Sequence, residues 1–209
     1  MDNKVMFSLT YGLFVLTAKE GSKDNGCIVN TASQVASDPN TIAVSVNKNN
    51  YTCGMIERTK EFNVSILSEK SKFETYKHWG FQSGKDVDKT VEIAYKRSAN
   101  GLIYIAEETN AFLSAKVIKA IDLGSHMLFI GLVTDGEKIS EDPSVTYNFY
   151  QNNIKPKPAS QPKKKGFICT VCGYIYEGEQ VPKHCPVCDH DRGYFIRIEL
   201  APYTCGTDD

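Results

Sequence analysis

The stretch 41–67, TIAVSVNKNNYTCGMIERTKEFNVSIL, reads as strand, helix and strand in quick succession. From Thr41 to Asn47 the residues alternate. Ile42, Val44 and Val46 fall on one face, and Ala43, Ser45 and Asn47 on the other, which is the period of a half-buried strand. Residues 51–59 predict a short helix and 61–67 a second strand. Toward the N-terminus, 12–18 is a β-rich run, GSKDNG at 21–26 predicts a turn, and 27–36 is another run closed by the turn signal SDPN. Toward the C-terminus, 71–79 predicts another short helix. Segments 111–122 and 125–135 predict a hairpin joined at Leu123 and Gly124. Antiparallel strands with two short helices predict a mainly β, barrel-like domain.

This pattern ends before the chain does. At 152–165, NNIKPKPASQPKKK, three prolines and five lysines leave almost no large apolar side chain. Such a segment predicts an extended tether reaching ~40 Å at roughly 3.1 Å per residue. The expected organisation is therefore a domain at 1–151, a linker at 152–165 and a small second module at 166–209. At 209 residues the length suits one full domain with a small companion.

Charge and cysteine usage exclude several classes. A formal net charge of -1 gives no global field for nucleic acid or acidic lipid. No apolar run is long enough to span a membrane, and no secretory leader is read at the start. Seven cysteines, four of them in two close pairs, suit metal ligation in a reducing compartment better than a disulfide framework. A cytoplasmic protein is expected. The sequons at Asn50 and Asn63 are then chance matches.

The strongest chemical signal is Cys169-Thr-Val-Cys172 followed, twelve residues on, by Cys185-Pro-Val-Cys188. Two such pairs supply four thiolates for a tetrahedral all-sulfur site, which accepts iron or zinc. The flanking residues Phe167, Ile168, Gly173, Tyr174, Ile175, Tyr176, Glu177 and Gly178 make this segment similar to rubredoxin, in the shortened form that closes rubrerythrins. That resemblance implies one iron on Cys169, Cys172, Cys185 and Cys188, with zinc as a possible substitute. It also implies an aromatic core from Tyr174, Tyr176 and Phe195. Asp189 stands where rubredoxins usually carry glycine, a position that asks for a left-handed backbone. His184 and His190 are read as bystanders. From 167 to 209 there are three basic and seven acidic residues, net -4, which argues against a nucleic-acid-binding ribbon and for docking on a basic protein face.

The first domain carries neither G-x-G-x-x-G after a strand nor a P-loop, so a nucleotide cofactor must be held in another way. Small polar residues cluster where strands meet turns: Asn30, Thr31, Ala32, Ser33 and Gln34, then Ser45, Val46, Asn47, Lys48, Tyr51 and Thr52. Hydroxyls, amides and a lysine beside a helix start are suitable phosphate donors. The order of Tyr11–Thr17, residues 30–35 with Asp38-Pro39, the strand into Lys48, and Gly124-Ser-His-Met-Leu-Phe-Ile-Gly131 resembles the flavin reductase-like family.

That resemblance implies a split β-barrel, bound FMN and a homodimer. Asn30 to Gln34 would line the isoalloxazine and ribityl chain, with Asn47, Lys48, Tyr51 and Thr52 near the phosphate. His126 would stand by the ring or the nicotinamide, and Trp79 would either cover a flavin face or pack against the barrel. Ser125 replaces the acid that usually precedes His126. Cys27 and Cys53 are read as small buried hydrophobes and Cys205 as a tail thiol.

The two modules in this order resemble the high-molecular-weight rubredoxins of anaerobic bacteria. This implies NADH or NADPH as donor, electron transfer through FMN and iron, and a flavodiiron protein reducing nitric oxide or oxygen as acceptor. Two rival readings remain open at this point. One is a flavin reductase releasing reduced FMN, with a structural zinc ribbon at its C-terminus. The other is a binding protein without a cofactor.

Overall fold

The computed structural model describes residues 5, 8–91, 93–156 and 165–199, the last segment with side chains at 166–197. The chain divides into two compact units, Met1–Lys155 and Pro156–Asp209.

The first unit is one seven-stranded antiparallel sheet rolled into a split β-barrel. Its strands are β1 (Phe14–Glu20), β2 (Lys23–Val29), β3 (Ala32–Ser37), β4 (Asn40–Asn47), β5 (Glu61–Leu67), β8 (Thr109–Asp122) and β9 (His126–Lys138). They run in the order β2-β1-β5-β8-β9-β4-β3. A short ribbon, β6 (Lys96–Arg97) with β7 (Ile103–Tyr104), lies between β5 and β8 in the chain.

Alternation along β1 serves two cores. Leu16 and Ala18 join Ile42, Val44, Val46, Phe62, Val64 and Phe129 inside the barrel. Leu13 and Val15 join Leu67, Tyr76, Trp79, Ile103 and Val145 outside it. Each fully buried Val, Leu or Phe contributes about 1.5–3 kcal/mol.

Helix α1 (Tyr51–Thr59) closes one end of the barrel, burying Thr52, Cys53, Met55 and Ile56. Asn50 caps it by accepting a hydrogen bond from the Thr52 N–H, and Lys60 ends it in the left-handed region, its N–H donating to the Ile56 carbonyl. Helix α2 (Phe73–Gly80) has no side-chain cap of its own at Lys72. Glu108 Oε2 reaches across to accept from the Lys72 N–H (2.9 Å) and Thr75 Oγ1 (2.6 Å).

Three expectations need correction. GSKDNG is not a six-residue turn: the turn is Gly21-Ser22, and Lys23, Asp24, Asn25 and Gly26 belong to β2. The run at 27–36 is broken at Asn30 and Thr31, where the chain leaves β2 for β3 and Thr31 Oγ1 donates to the Ser45 carbonyl. Residues 152–154, expected in the tether, continue a helical turn, Tyr147–Phe149 followed by Tyr150–Ile154. Asn153 Nδ2 donates there to the Phe149 carbonyl, and Ile154 packs on the outer core. Residues 157–164 of the expected tether, and Cys205, lie outside the described residues. Among the described residues no helix is long and apolar enough to cross a membrane. Asn63 is wholly buried and donates to Ser98 Oγ and two carbonyls, which fits its being a chance sequon.

The second unit is a three-stranded sheet of β10 (Lys165–Cys169), β11 (Ile175–Tyr176) and β12 (Phe195–Glu199) in the order β11-β10-β12. Phe167 and Phe195 are buried in it, while Tyr174 and Tyr176 are half-buried.

Candidate functional site

The second unit holds a preorganised metal centre. The Sγ atoms of Cys169, Cys172, Cys185 and Cys188 all lie within 4.8 Å of one another, and all four residues are buried. Cys169 Sγ is 3.6 Å from Cys188 Sγ, and Cys172 Sγ is 3.6 Å from Cys185 Sγ. Metal–sulfur bonds of about 2.3 Å would put tetrahedral sulfurs about 3.8 Å apart, so the donor set fits one thiophilic ion.

Two equivalent loops build it. The N–H of Gly173 donates to the Cys169 carbonyl and that of Asp189 to the Cys185 carbonyl. Both residues are left-handed, with φ 74 and φ 61, so aspartate takes the conformation expected of glycine there. Further amides point at sulfur: Val171 and Cys172 toward Cys169, Tyr174 toward Cys172, and His190 toward Cys188. Burial pushes the Cys172 thiol up, and that of Cys188 to about 11. Cys169 moves the other way: burial raises it, but the amides of Cys172 and Val171 and the neighbouring sulfurs outweigh that and bring it down, so a cation is what lets the buried set be thiolate together. His184 is exposed, and His190 Nδ1 lies 3.2 Å from the Cys188 carbonyl, so neither histidine enters the ligand set.

In the first unit the predicted flavin residues gather along β3 and β4. Ala32 pairs with Val44, Ser33 with Ala43, and Gln34 with Ile42. Ala32, Ser33, Gln34 and Ile42 help line a half-open cavity of about 360 Å³ whose other walls include Phe14 and Leu113. Roughly 17 Å farther along β4, at about 3.4 Å per residue, Asn47 faces His126 across the β4–β9 ladder.

At this end the Asn50 N–H donates to the Asn47 carbonyl, and that of Asn49 to Asn47 Oδ1. Lys48 is exposed and paired with Asp122 at 2.6 Å. The Lys48 ammonium, with the Gly124 N–H, holds the Asp122 carboxyl below the usual range. Tyr51 is half-buried at the first turn of α1, and Asn30, Thr31 and Ser45 lie between the two ends. His126 Nδ1 is 2.8 Å from Ser125 Oγ, so the residue replacing the usual acid still engages the imidazole. Ile42 and the cavity lie on the core side of β4 and Asn47 on its other face, so the apolar cavity and the amides beside Lys48 are separate features of one strand.

Three predicted contacts are turned into the protein interior. Val46 is buried beside Ile42 and Val44, as the alternation of its strand already implied. Thr52 is wholly buried, with Oγ1 accepting from Asn25 Nδ2 at 2.9 Å. The Thr52 N–H is itself taken by Asn50, and neither side chain is open to a ligand. Trp79 has no exposed surface and belongs to the outer core, so its ring packs against the barrel and covers no flavin face. Cys27 and Cys53 are buried, matching their reading as small buried hydrophobes, and burial pushes both thiols up to about 11.

Sequence reasoning missed Lys23, Asn25 and Gly84, which gather behind the first turn of α1. Lys23 and Asn25 fall in the run expected to be a turn, and no local signal marks Gly84. The apolar cavity walls were equally hidden, apart from Phe14 within the run that resembled the flavin reductase-like family.

Comparison with known proteins agrees with this division. Residues 6–157 match the flavin reductase like domain family, and 167–196 match the rubrerythrin, rubredoxin-like domain family. The chain is 35% identical to the high molecular weight rubredoxin of Moorella thermoacetica, over 95% of this chain and 100% of that protein. It is 31% identical to the ferric-chelate reductase (NAD(P)H) of Archaeoglobus fulgidus, over 75% of this chain and 93% of that one. Among solved structures, the NADH:FAD oxidoreductase SgcE6 of Streptomyces globisporus superposes with a TM-score of 0.62 at 20% identity, covering 68% of this chain and 84% of that one; this similarity concerns the fold. A flavin reductase-like barrel followed by a four-cysteine module, with similarity along nearly the whole length, means that the chain belongs to the high-molecular-weight rubredoxins of the flavin reductase-like family.

Proposed function

We propose that this protein takes a hydride from NADH or NADPH onto FMN held along β3 and β4, and passes electrons singly through one iron on Cys169, Cys172, Cys185 and Cys188. The recipient in this reading is a flavodiiron protein that reduces nitric oxide or oxygen in the cytoplasm. The observation that carries it is four buried sulfurs preset for one ion in a chain whose remainder is a flavin reductase-like barrel. Bound FMN accepts two electrons together and releases them one at a time, which matches a single-iron carrier. The Moorella high molecular weight rubredoxin and the Archaeoglobus ferric-chelate reductase (NAD(P)H) support the rubredoxin and the nicotinamide parts respectively.

Each residue group has a task in this reading. Asn47 and Lys48 bind the phosphate. The walls around Ala32, Ser33 and Gln34 exclude water from one face of the ring. His126 orients the nicotinamide. The amides aimed at the cysteine sulfurs stabilise thiolate charge and tune the iron. Half-buried Leu128 and Ile130, beside Ala43 and Ser45 on the sheet face away from the core, support a homodimer.

Exchanging Cys169 and Cys172 for serine tests the relay. Iron binding and transfer to the acceptor are expected to vanish while NADH still reduces the flavin; retained acceptor reduction would refute it.

A further inference from the structure

The two cysteine loops follow the same backbone course, but at one corresponding position the second carries a negative charge. In the first loop Gly173 follows Cys172, is left-handed at φ 74 and donates its N–H to the Cys169 carbonyl at 2.8 Å. In the second, Asp189 follows Cys188, is left-handed at φ 61 and donates its N–H to the Cys185 carbonyl at 2.8 Å. The next amide of each loop turns to sulfur, that of Tyr174 toward Cys172 and that of His190 toward Cys188. The second loop thus places a carboxylate, in sequence, between a ligand and the amide that serves its sulfur.

Asp189 is exposed, and among the described residues no lysine, arginine or histidine forms an ion pair with its carboxylate. Consecutive Cα atoms are about 3.8 Å apart, so adjacency to Cys188 keeps the charge within about 10 Å of its sulfur, one Debye length at ~0.1 M salt. A left-handed backbone costs aspartate what it would not cost glycine, and that strain directs attention to the side chain.

Reduction of a single-iron, four-thiolate site adds one electron to it, with no bond made or broken. A neighbouring carboxylate opposes the added charge through partly screened solvent. An N–H aimed at sulfur acts with the opposite sign. We infer that Asp189 is a potential-setting residue: its carboxylate holds the couple of the four-cysteine site lower than glycine there would, and makes the reduced module a stronger electron donor. The inference rests on the reading of this site as a one-electron iron carrier.

Spectroelectrochemical titration of the full-length, iron-loaded protein, following the ferric-thiolate band, reads the midpoint. Asp189→Asn keeps the side-chain size and tolerates the left-handed backbone. It is expected to raise the ferrous-to-ferric ratio at a fixed applied potential about fivefold, which is about 40 mV at about 59 mV per tenfold for one electron. Asp189→Gly, which also relaxes the backbone, should raise the ratio equally. Gly173→Asp, which adds a carboxylate to the first loop, should lower it by a similar factor. In ~1 M salt, where the Debye length is about 3 Å, each difference should shrink by more than half.

A midpoint unmoved in Asp189→Asn refutes the inference. So does a shift undiminished by salt, or one confined to Asp189→Gly, because either traces to the loop backbone rather than to the charge. If iron-replete preparations of the wild type show no one-electron couple, the reading of the site fails and takes the inference with it. A wild-type couple that Asp189→Asn leaves in place keeps the reading and removes the inference alone.

Discussion

Asp189 occupies in the second cysteine loop the place that Gly173 occupies in the first: both are left-handed, and each donates its N–H to the first cysteine carbonyl of its loop. A side chain in that conformation costs up to about 1 kcal/mol for aspartate and more for alanine. Asp189→Gly should therefore slow metal release to a chelator, whereas Asp189→Ala should speed it. Metal-release kinetics followed in the visible spectrum check both directions.

Lys48 and Asp122 form an exposed pair, and such pairs contribute about 0–1 kcal/mol to stability. Lys48→Met should barely move the melting temperature. If Lys48 binds the phosphate, FMN affinity should nonetheless fall about tenfold, the loss of one charge-assisted hydrogen bond. Differential scanning fluorimetry beside a flavin titration separates the two effects.

Lys89 is 3% exposed, and burial brings its ammonium down to about 8. Its only hydrogen-bond acceptors among the described residues are the carbonyls of Gly26 and Trp79. The folded form therefore binds fewer protons than the unfolded chain between pH ~8 and the ordinary lysine value near 10.4. The burden of burying the charge is fully present below pH ~8 and is relieved as pH rises through that window. Relative to Lys89→Met, the wild type should gain about 3 kcal/mol between pH ~7.5 and ~10.5. Urea unfolding of both proteins across that range measures it; a constant difference would contradict the assignment.

Trp79 is fully buried, and among the described residues its Nε1 has no hydrogen-bond partner. Trp79→Phe removes that unpaired donor while leaving a smaller ring, and the two effects offset. The net change should stay below about 2 kcal/mol, against about 3–5 kcal/mol for Trp79→Ala. Neither should alter the flavin absorption envelope, since the ring covers no flavin face. A spectral shift in Trp79→Phe would reverse that placement.

Much of this was legible in sequence because the signals were local. The alternation after Thr41 announces β4, and paired cysteines announce the metal loops. What escaped depends on tertiary contact. The polar run after Gly21 looks like a turn because nothing nearby shows that Asn25 is satisfied by Thr52, or that Gly26 must be bare. A Cβ at Gly26 would lie 2.8 Å from the Trp79 ring. Thr52 reads as a phosphate contact, and Trp79 stays open between flavin cover and core, for the same reason: polarity and aromaticity identify groups that can bind, but only packing decides which way they face.

The central claim is that the flavin and the iron form one electron path, and anaerobic titration of the full-length, iron-loaded protein with NADH tests it most directly. Flavin and ferric-thiolate absorption should both bleach, the flavin taking two electrons and the iron one, with near one iron per chain. Bleaching of the flavin alone, with the iron left oxidised, would contradict the account and leave the four-cysteine module a structural appendage.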